Sequence, residues 1–150
     1  MQNDKNMCSY RPRERVRLAA LRWGQSSATI RPMTQTVLIV DDHPSFRASA
    51  RALLESEGFV VIGEAEDGAA ALEAVDALRP DIVVLDIQLP DMSGFDVCAA
   101  LERRGGPPPD IILVSSRDVS DYGELVSSSC ACGFVAKGEL SGDLVAALLP

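Results

Sequence analysis

The sequence has no hydrophobic run close to the roughly 20 residues that a membrane-spanning helix needs. Its N-terminus also lacks the apolar stretch and small-residue cleavage site of a secretory signal. The four cysteines show no paired CxxC spacing, and the sequence contains a single histidine, so a zinc site is not expected. We therefore expect a cytoplasmic protein with reduced thiols and no membrane partner.

Basic residues are scarce beyond the N-terminal segment. Residues 1–32 hold seven of the fourteen Lys and Arg against two acids, a net charge of +5, and the remaining residues carry seven bases and twenty acids, a net charge of −13. This asymmetry predicts a basic, disordered extension over residues 1–34 and one folded domain over 35–150. Because phosphate backbones repel an acidic domain, we expect no direct nucleic-acid binding by this chain.

From Thr36 onward, short runs of β-branched and aliphatic residues alternate with stretches of helical spacing. Asp67 and Ser93 are expected helix N-caps, and the fourth helix, within 118–133, is the weakest because it is rich in Ser and contains Gly123. Five strands alternating with five helices predict an α/β fold with a doubly wound, five-stranded parallel sheet. The predicted strands cover residues 36–40, 59–65, 82–86, 110–116 and 133–137.

Polar side chains stand where four of these strands end. Asp41 and Asp42 follow the first strand, Asp86 ends the third, Ser115 lies at the end of the fourth, and Lys137 at the end of the fifth. Functional groups of open parallel sheets gather at the carboxyl ends of the strands. Each residue alone has an ordinary explanation as a loop or cap residue, but their equivalent positions together indicate one functional site.

Three carboxylates at one edge repel each other and raise at least one pKa, and a divalent cation relieves this conflict. Mg²⁺ prefers oxygen ligands and keeps several waters, so we expect Asp42 and Asp86 to bind it directly and Asp41 through water. Asp86 can then attack phosphorus as a nucleophile and form an acyl phosphate. Lys137 and the hydroxyl of Ser115 would stabilise the charge on the transferred oxygens.

The segment from about Val37 to Leu149 resembles the response-regulator receiver domain of the CheY-like superfamily. The stretches "VLIVDDHPSFR", "DIVVLDIQLPDMSG", "IILVSS" and "GFVAKGEL" carry this resemblance. "DDHP", and a Lys followed by Gly, are similar to the NarL/FixJ-type branch. The resemblance implies a (βα)5 flavodoxin-like fold and Mg²⁺-dependent phosphorylation of Asp86 by a sensor histidine kinase, in a signalling domain and not an enzyme.

The resemblance also implies individual roles. Asp41, Asp42, Asp86 and the backbone carbonyl of Gln88 would hold the metal, Ser115 would be the switch hydroxyl, and Lys137 would contact the phosphoryl group. Phe134 falls where the family has an aromatic residue that changes rotamer on phosphorylation, although plain core packing also explains it. These movements would remodel the face of the fourth helix, fifth strand and fifth helix, which would bind a downstream protein or a second copy of the chain.

Several alternatives stay open at this point. The chain could be a stand-alone receiver or a shortened NarL-type transcriptional regulator. It could also be an unphosphorylated pseudo-receiver that acts as an interaction module. A haloacid-dehalogenase-type phosphohydrolase is disfavoured because Gln88 occupies the second position of its DxD pair, and a cofactor-binding flavodoxin-like module because "DDHPSFR" is acidic and lacks glycine. His43 is read as a helix start rather than a metal ligand.

Overall fold

The computed structural model describes residues 34–150. Its centre is an all-parallel sheet with the strand order β2-β1-β3-β4-β5. The chain therefore leaves β1 in one direction to make β2 and returns in the other direction to make β3, which places the switch in strand order between β1 and β3. The strands are β1 (Thr36–Val40), β2 (Val60–Ala65), β3 (Ile82–Asp86), β4 (Asp110–Ser115) and β5 (Gly133–Ala136).

Helices cover both faces of this sheet, which confirms the predicted doubly wound α/β fold. They are α1 (Pro44–Ser56), α2 (Gly68–Leu78), α3 (Gly94–Arg103), α4 (Glu124–Ser127) and α5 (Gly142–Leu148). None of the helices within residues 34–150 has the length and apolar character needed to cross a membrane. The predicted basic extension over 1–34 lies outside the described residues except for its last position, and it stays a prediction.

The central strands are apolar on both sides because each of their faces meets a helix layer. All residues of β3 and β4 are buried. Leu38 and Leu85 face one layer with Val97 of α3, whereas Ile39 and Val84 belong to the opposite cluster. Alternate residues of one strand thus enter two separate cores, as the two-residue period of a strand requires.

Both predicted N-caps are confirmed. Asp67 accepts a hydrogen bond from the Ala70 N–H at 2.8 Å. Ser93 forms a capping box with Asp96: the Ser93 hydroxyl accepts from the Asp96 N–H, and the Asp96 carboxylate accepts from the Ser93 N–H, both at 3.1 Å. Local hydrogen bonding therefore fixes where α2 and α3 begin.

The prediction of one helix within 118–133 is wrong. The structure has a 3-10 turn over Val119–Asp121 and then the four-residue α4. Gly123 separates them with a φ of +51°, which glycine adopts readily and other residues avoid. The hydroxyl of Ser128 also donates to the Glu124 carbonyl at 2.8 Å, a local bond that competes with helix continuation.

Three of the predicted strands are one residue longer than the observed strands. β2 begins at Val60, β4 ends at Ser115, and β5 ends at Ala136. Lys137 therefore belongs to a second 3-10 turn, Lys137–Glu139, and not to the strand itself. The side chain of Lys137 still starts at the carboxyl edge of the sheet.

Replacing Ser93 tests the capping box. Ser93→Ala should lower the free energy of unfolding by about 1 kcal/mol, because the first turn of α3 loses a hydrogen-bond acceptor. Ser93→Gly is the matched control and should cost only a few tenths of a kcal/mol, roughly, since glycine is itself a favourable N-cap. Urea unfolding measures both values, and equal losses in the two variants would contradict a capping role.

Candidate functional site

The carboxyl edge of the sheet brings the predicted site residues together. Asp41 directly follows β1, Asp86 is the last residue of β3, and Ser115 is the last residue of β4. These three side chains are buried, whereas Asp42 is exposed on the rim. Lys137 reaches the same edge from the end of β5 and contacts two of the carboxylates directly.

The Lys137 ammonium is the centre of the contacts at this edge. Its Nζ lies 2.5 Å from Asp41 Oδ2 and 3.4 Å from Asp86 Oδ2. It also stands 4.8 Å from the centroid of the Phe46 ring, within cation–π range. Burial by itself lowers the pKa of Lys137, but the hydrogen bond to Asp41 and the charges of Asp86 and Asp41 outweigh it, so the pKa is raised.

Asp86 has an unfavourable environment for a charged carboxylate. Burial and the nearby charge of Asp41 raise the pKa of Asp86 to about 6, against the attraction of Lys137 and a hydrogen bond from the Gln88 N–H. That N–H donates to Asp86 Oδ1 at 3.2 Å. The expectation that crowding raises the pKa of one carboxylate is confirmed here, and burial is the larger cause.

The imidazole of His43 contacts both aspartates that follow β1. Its Nδ1 lies 3.1 Å from Asp41 Oδ1 and 3.1 Å from Asp42 Oδ1, and its backbone N–H donates to Asp41 Oδ1 at 2.8 Å. His43 is also the N-cap position of α1, with Pro44 following, which confirms its place at a helix start. The loop after β1 is thereby folded so that both aspartates face the edge.

The donor set fits a small divalent cation. Asp41, Asp42, His43 and Asp86 can each offer one ligand atom, and these atoms lie within 4.8 Å of one another. Asp41 Oδ2 is buried, and its contact within the described part of the chain is the Lys137 ammonium. Three carboxylates with an exposed side match the oxygen preference of Mg²⁺, and the imidazole adds a nitrogen that suits other divalent metals.

The loop between β3 and α3 is held in place by residues that the sequence did not single out. A Cβ on Gly94 would lie 2.7 Å from the Asp86 carbonyl oxygen, so only glycine fits there without a shift of backbone. Asp91 accepts from the backbone N–H groups of Gly68 and Ala69, at 2.8 and 2.9 Å, at the start of α2. These hydrogen bonds lower the pKa of Asp91.

Sequence reasoning also missed Tyr122, which lies beside the Ser115 hydroxyl. The Tyr122 hydroxyl oxygen is 3.0 Å from Ser115 Oγ. Its ring contacts Phe95 and Phe134 with centroid separations of 5.9 and 6.2 Å. The predicted switch aromatic, Phe134, is therefore part of a cluster of three rings, and no local pattern around Tyr122 signalled this.

The model of the family described as "Response regulator receiver domain" matches residues 37–149. The chain belongs to this family. Among curated relatives, the virulence-factor transcription regulator BvgA of Bordetella pertussis is 39% identical over 107 residues, covering 71% of this chain and 51% of BvgA. The DNA-binding transcriptional activator EvgA of Escherichia coli is 34% identical over 111 residues, covering 74% of this chain and 54% of EvgA. The receiver domain thus spans about half the length of these relatives.

Solved receiver structures show the same fold. The signal receiver domain of the response regulator NarL from Mycobacterium tuberculosis is 38% identical with a TM-score of 0.65, over 78% of this chain and 94% of that one. A LuxR-family two-component response regulator from Aurantimonas is 30% identical with a TM-score of 0.69, over 77% and 83% of the two chains. Together with the relatives, these likenesses place the receiver among NarL/LuxR-type response regulators.

The raised pKa of Asp86 predicts a pH-dependent effect of Asp86→Asn on stability. Deprotonation of Asp86 destabilises the fold, so the contribution of Asp86 to stability falls as pH rises from 3.8 to about 6. Without metal, the variant should be more stable than wild type by about 1 to 3 kcal/mol at pH 8, and this difference should disappear at about pH 3. Chemical denaturation in the presence of a chelator, at pH 8 and at about pH 3, measures the two differences.

Asp76→Asn is the control for this comparison, because Asp76 lies on α2, away from the site, and pairs with Arg104. Its difference from wild type should not follow the titration of Asp86. A variant Asp86→Asn that is less stable than wild type at pH 8 would contradict the unfavourable burial of the Asp86 carboxylate.

Proposed function

We propose that this receiver accepts a phosphoryl group on Asp86 from a sensor histidine kinase of a two-component system, in a Mg²⁺-dependent reaction. The observation that carries the proposal is the Lys137 ammonium in contact with both Asp41 and Asp86 at the carboxyl edge of the sheet. A half-buried cation beside a buried carboxylate can stabilise the charge that develops on phosphoryl oxygens during transfer to that carboxylate. The family of the chain supports the same function.

The transfer exchanges one bond to phosphorus for another. An Asp86 carboxylate oxygen forms a bond to phosphorus while the bond between phosphorus and the kinase histidine nitrogen breaks, and the nitrogen keeps the electron pair. Lys137 neutralises charge on the transferred oxygens, and the Ser115 hydroxyl donates a hydrogen bond to one of them. Asp86 is presented rigidly because the Gly94 backbone lies against its carbonyl.

Asp41, Asp42, Asp86 and the Gln88 carbonyl would hold Mg²⁺ in this proposal. When bound, the ion supplies positive charge that offsets the carboxylates and coordinates phosphoryl oxygens. Asp41 Oδ2 is buried at this edge, in contact with the Lys137 ammonium. The exposed side chain of Asp42 leaves the edge open to an incoming phosphoryl group.

The phosphoryl group would act as a switch because it adds about −1.5 to −2 charges and three acceptor oxygens at the edge. Ser115 and Lys137 would move toward it, and Phe134 would turn into the space left by Ser115. The remodelled surface is the one formed by α4, β5 and α5, which would bind a downstream protein or a second copy of the chain. Such a domain signals in the cytoplasm and catalyses no more than its own phosphorylation and dephosphorylation.

The names of BvgA and EvgA make them transcription regulators, and this chain matches about half of each. We therefore propose an output that reaches transcription, either through a separate protein partner or through an effector region joined to the receiver. The receiver itself would not bind DNA, since residues 33–150 carry a net charge of −13.

Incubation with acetyl phosphate tests the proposed function. Intact-mass measurement should show the gain of one phosphoryl group when Mg²⁺ is present and no gain when it is chelated. Asp86→Asn should abolish the gain, because it removes the attacking oxygen, whereas Asp76→Asn on α2 should leave it unchanged. If folded wild-type protein gains no phosphoryl group with Mg²⁺ present, the chain acts instead as a constitutive interaction module.

A further inference from the structure

The Ser115 hydroxyl, which is proposed to donate to the phosphoryl group, already forms two hydrogen bonds within the protein. Ser115 Oγ is fully buried, accepts a hydrogen bond from the Arg117 N–H at 3.0 Å, and shares a second hydrogen bond, also 3.0 Å, with the Tyr122 hydroxyl. The segment after β4 thus closes over Ser115 through one backbone and one side-chain contact. Before Ser115 can turn toward Asp86, its contact with Tyr122 must lengthen or break.

The Tyr122 ring cannot follow Ser115 freely. Phe95 of α3 meets it edge-on, with an interplanar angle of 60°, and Phe134 of β5 lies on it at a tilt of 47°. Close-packed side chains of this kind move by repacking as a group and not one at a time. The position of the Tyr122 hydroxyl is therefore set by two other elements of the fold.

The backbone of Tyr122 joins the two short helical pieces that replace the predicted fourth helix. Its N–H donates to the Val119 carbonyl at 3.0 Å, and its carbonyl accepts from the Leu125 N–H of α4 at 2.9 Å. A displacement of Tyr122 consequently displaces the start of α4. Little packing resists this movement, because α4 has only four residues and none of them is buried.

We propose that Tyr122 is a positioning residue that latches Ser115 in the unphosphorylated state and couples its release to α4. This inference rests on the proposed function, since the latch opposes the movement of Ser115 toward a phosphoryl group on Asp86. The hydrogen bond stabilises the unphosphorylated form alone. Its loss should therefore make the phosphorylated arrangement easier to reach, not harder.

Tyr122→Phe isolates the latch because it removes one hydroxyl and keeps the ring between Phe95 and Phe134. Beryllofluoride with Mg²⁺ serves as the probe, since it mimics a phosphoryl group on an aspartate. The variant should bind this probe about 2- to 10-fold more tightly than wild type, the factor that corresponds to one net hydrogen bond. Titration followed by NMR of the Arg117 and Tyr122 backbone amides gives the dissociation constants.

A double-mutant cycle separates the latch from other effects of the hydroxyl. In a Ser115→Ala background, Tyr122→Phe should change beryllofluoride binding by less than twofold, since its partner is already absent. Urea unfolding of the metal-free proteins gives the same cycle without any ligand. There, the folding equilibrium constant should show a coupling of about 2- to 10-fold between the two hydroxyls.

Phe95→Leu is the control for ring packing, because it loosens the cluster while the Tyr122 hydroxyl stays. If packing alone mattered, Phe95→Leu would tighten probe binding and Tyr122→Phe would only lower stability. Unchanged or weaker probe binding by Tyr122→Phe, or an equal effect in the Ser115→Ala background, overturns the latch and leaves the proposed function standing. Wild-type protein that does not bind beryllofluoride with Mg²⁺ overturns both.

Discussion

The arrangement of the site depends on one half-buried ammonium shared by two buried carboxylates. Lys137 starts beyond β5 and reaches past the end of β4 to Asp86 of β3 and to Asp41 after β1. Isolated charges at this edge would be strongly unfavourable, so the ammonium compensates both carboxylates, although the carboxylates repel each other. The order of the strands decides that these groups meet, since it places β1 and β3 side by side.

The contact of Lys137 with Asp41 is shorter than its contact with Asp86. Asp86 is thus the less well compensated of the two acids, which agrees with its raised pKa. A group that is poorly compensated in the free protein gains most from a new positive charge or from modification. The same imbalance that costs stability is consistent with the role proposed for Asp86.

The segments that follow β3 and β4 at the carboxyl edge differ in how firmly they are held. On the β3 side, Gly94 packs against the Asp86 carbonyl and Asp91 caps α2, so the loop that carries the acid is fixed at both ends. On the β4 side, Ser115 is followed by a 3-10 turn and by the four-residue α4. Because neither the turn nor α4 has a buried residue, this second segment is the one that can shift when the charge at the edge changes.

The sequence by itself determined the strands, the N-caps Asp67 and Ser93, and the meeting of Asp41, Asp86 and Lys137 at one edge. Apolar runs, capping side chains and strand ends are local signals, and parallel topology converts strand ends into neighbours. The length of the fourth helix was misjudged because residue composition does not reveal that Gly123 adopts a positive φ.

Only the tertiary structure decided which residues the polar and aromatic side chains near the site contact. Asp91 finds the N-terminus of α2 across 23 positions of sequence, and Tyr122 meets Ser115, Phe95 and Phe134 from three different elements. The imidazole of His43 contacts both aspartates, although most of the side chain is exposed to solvent. Such contacts depend on the distances and directions between elements that pack in three dimensions. The local sequence around each residue therefore does not predict them.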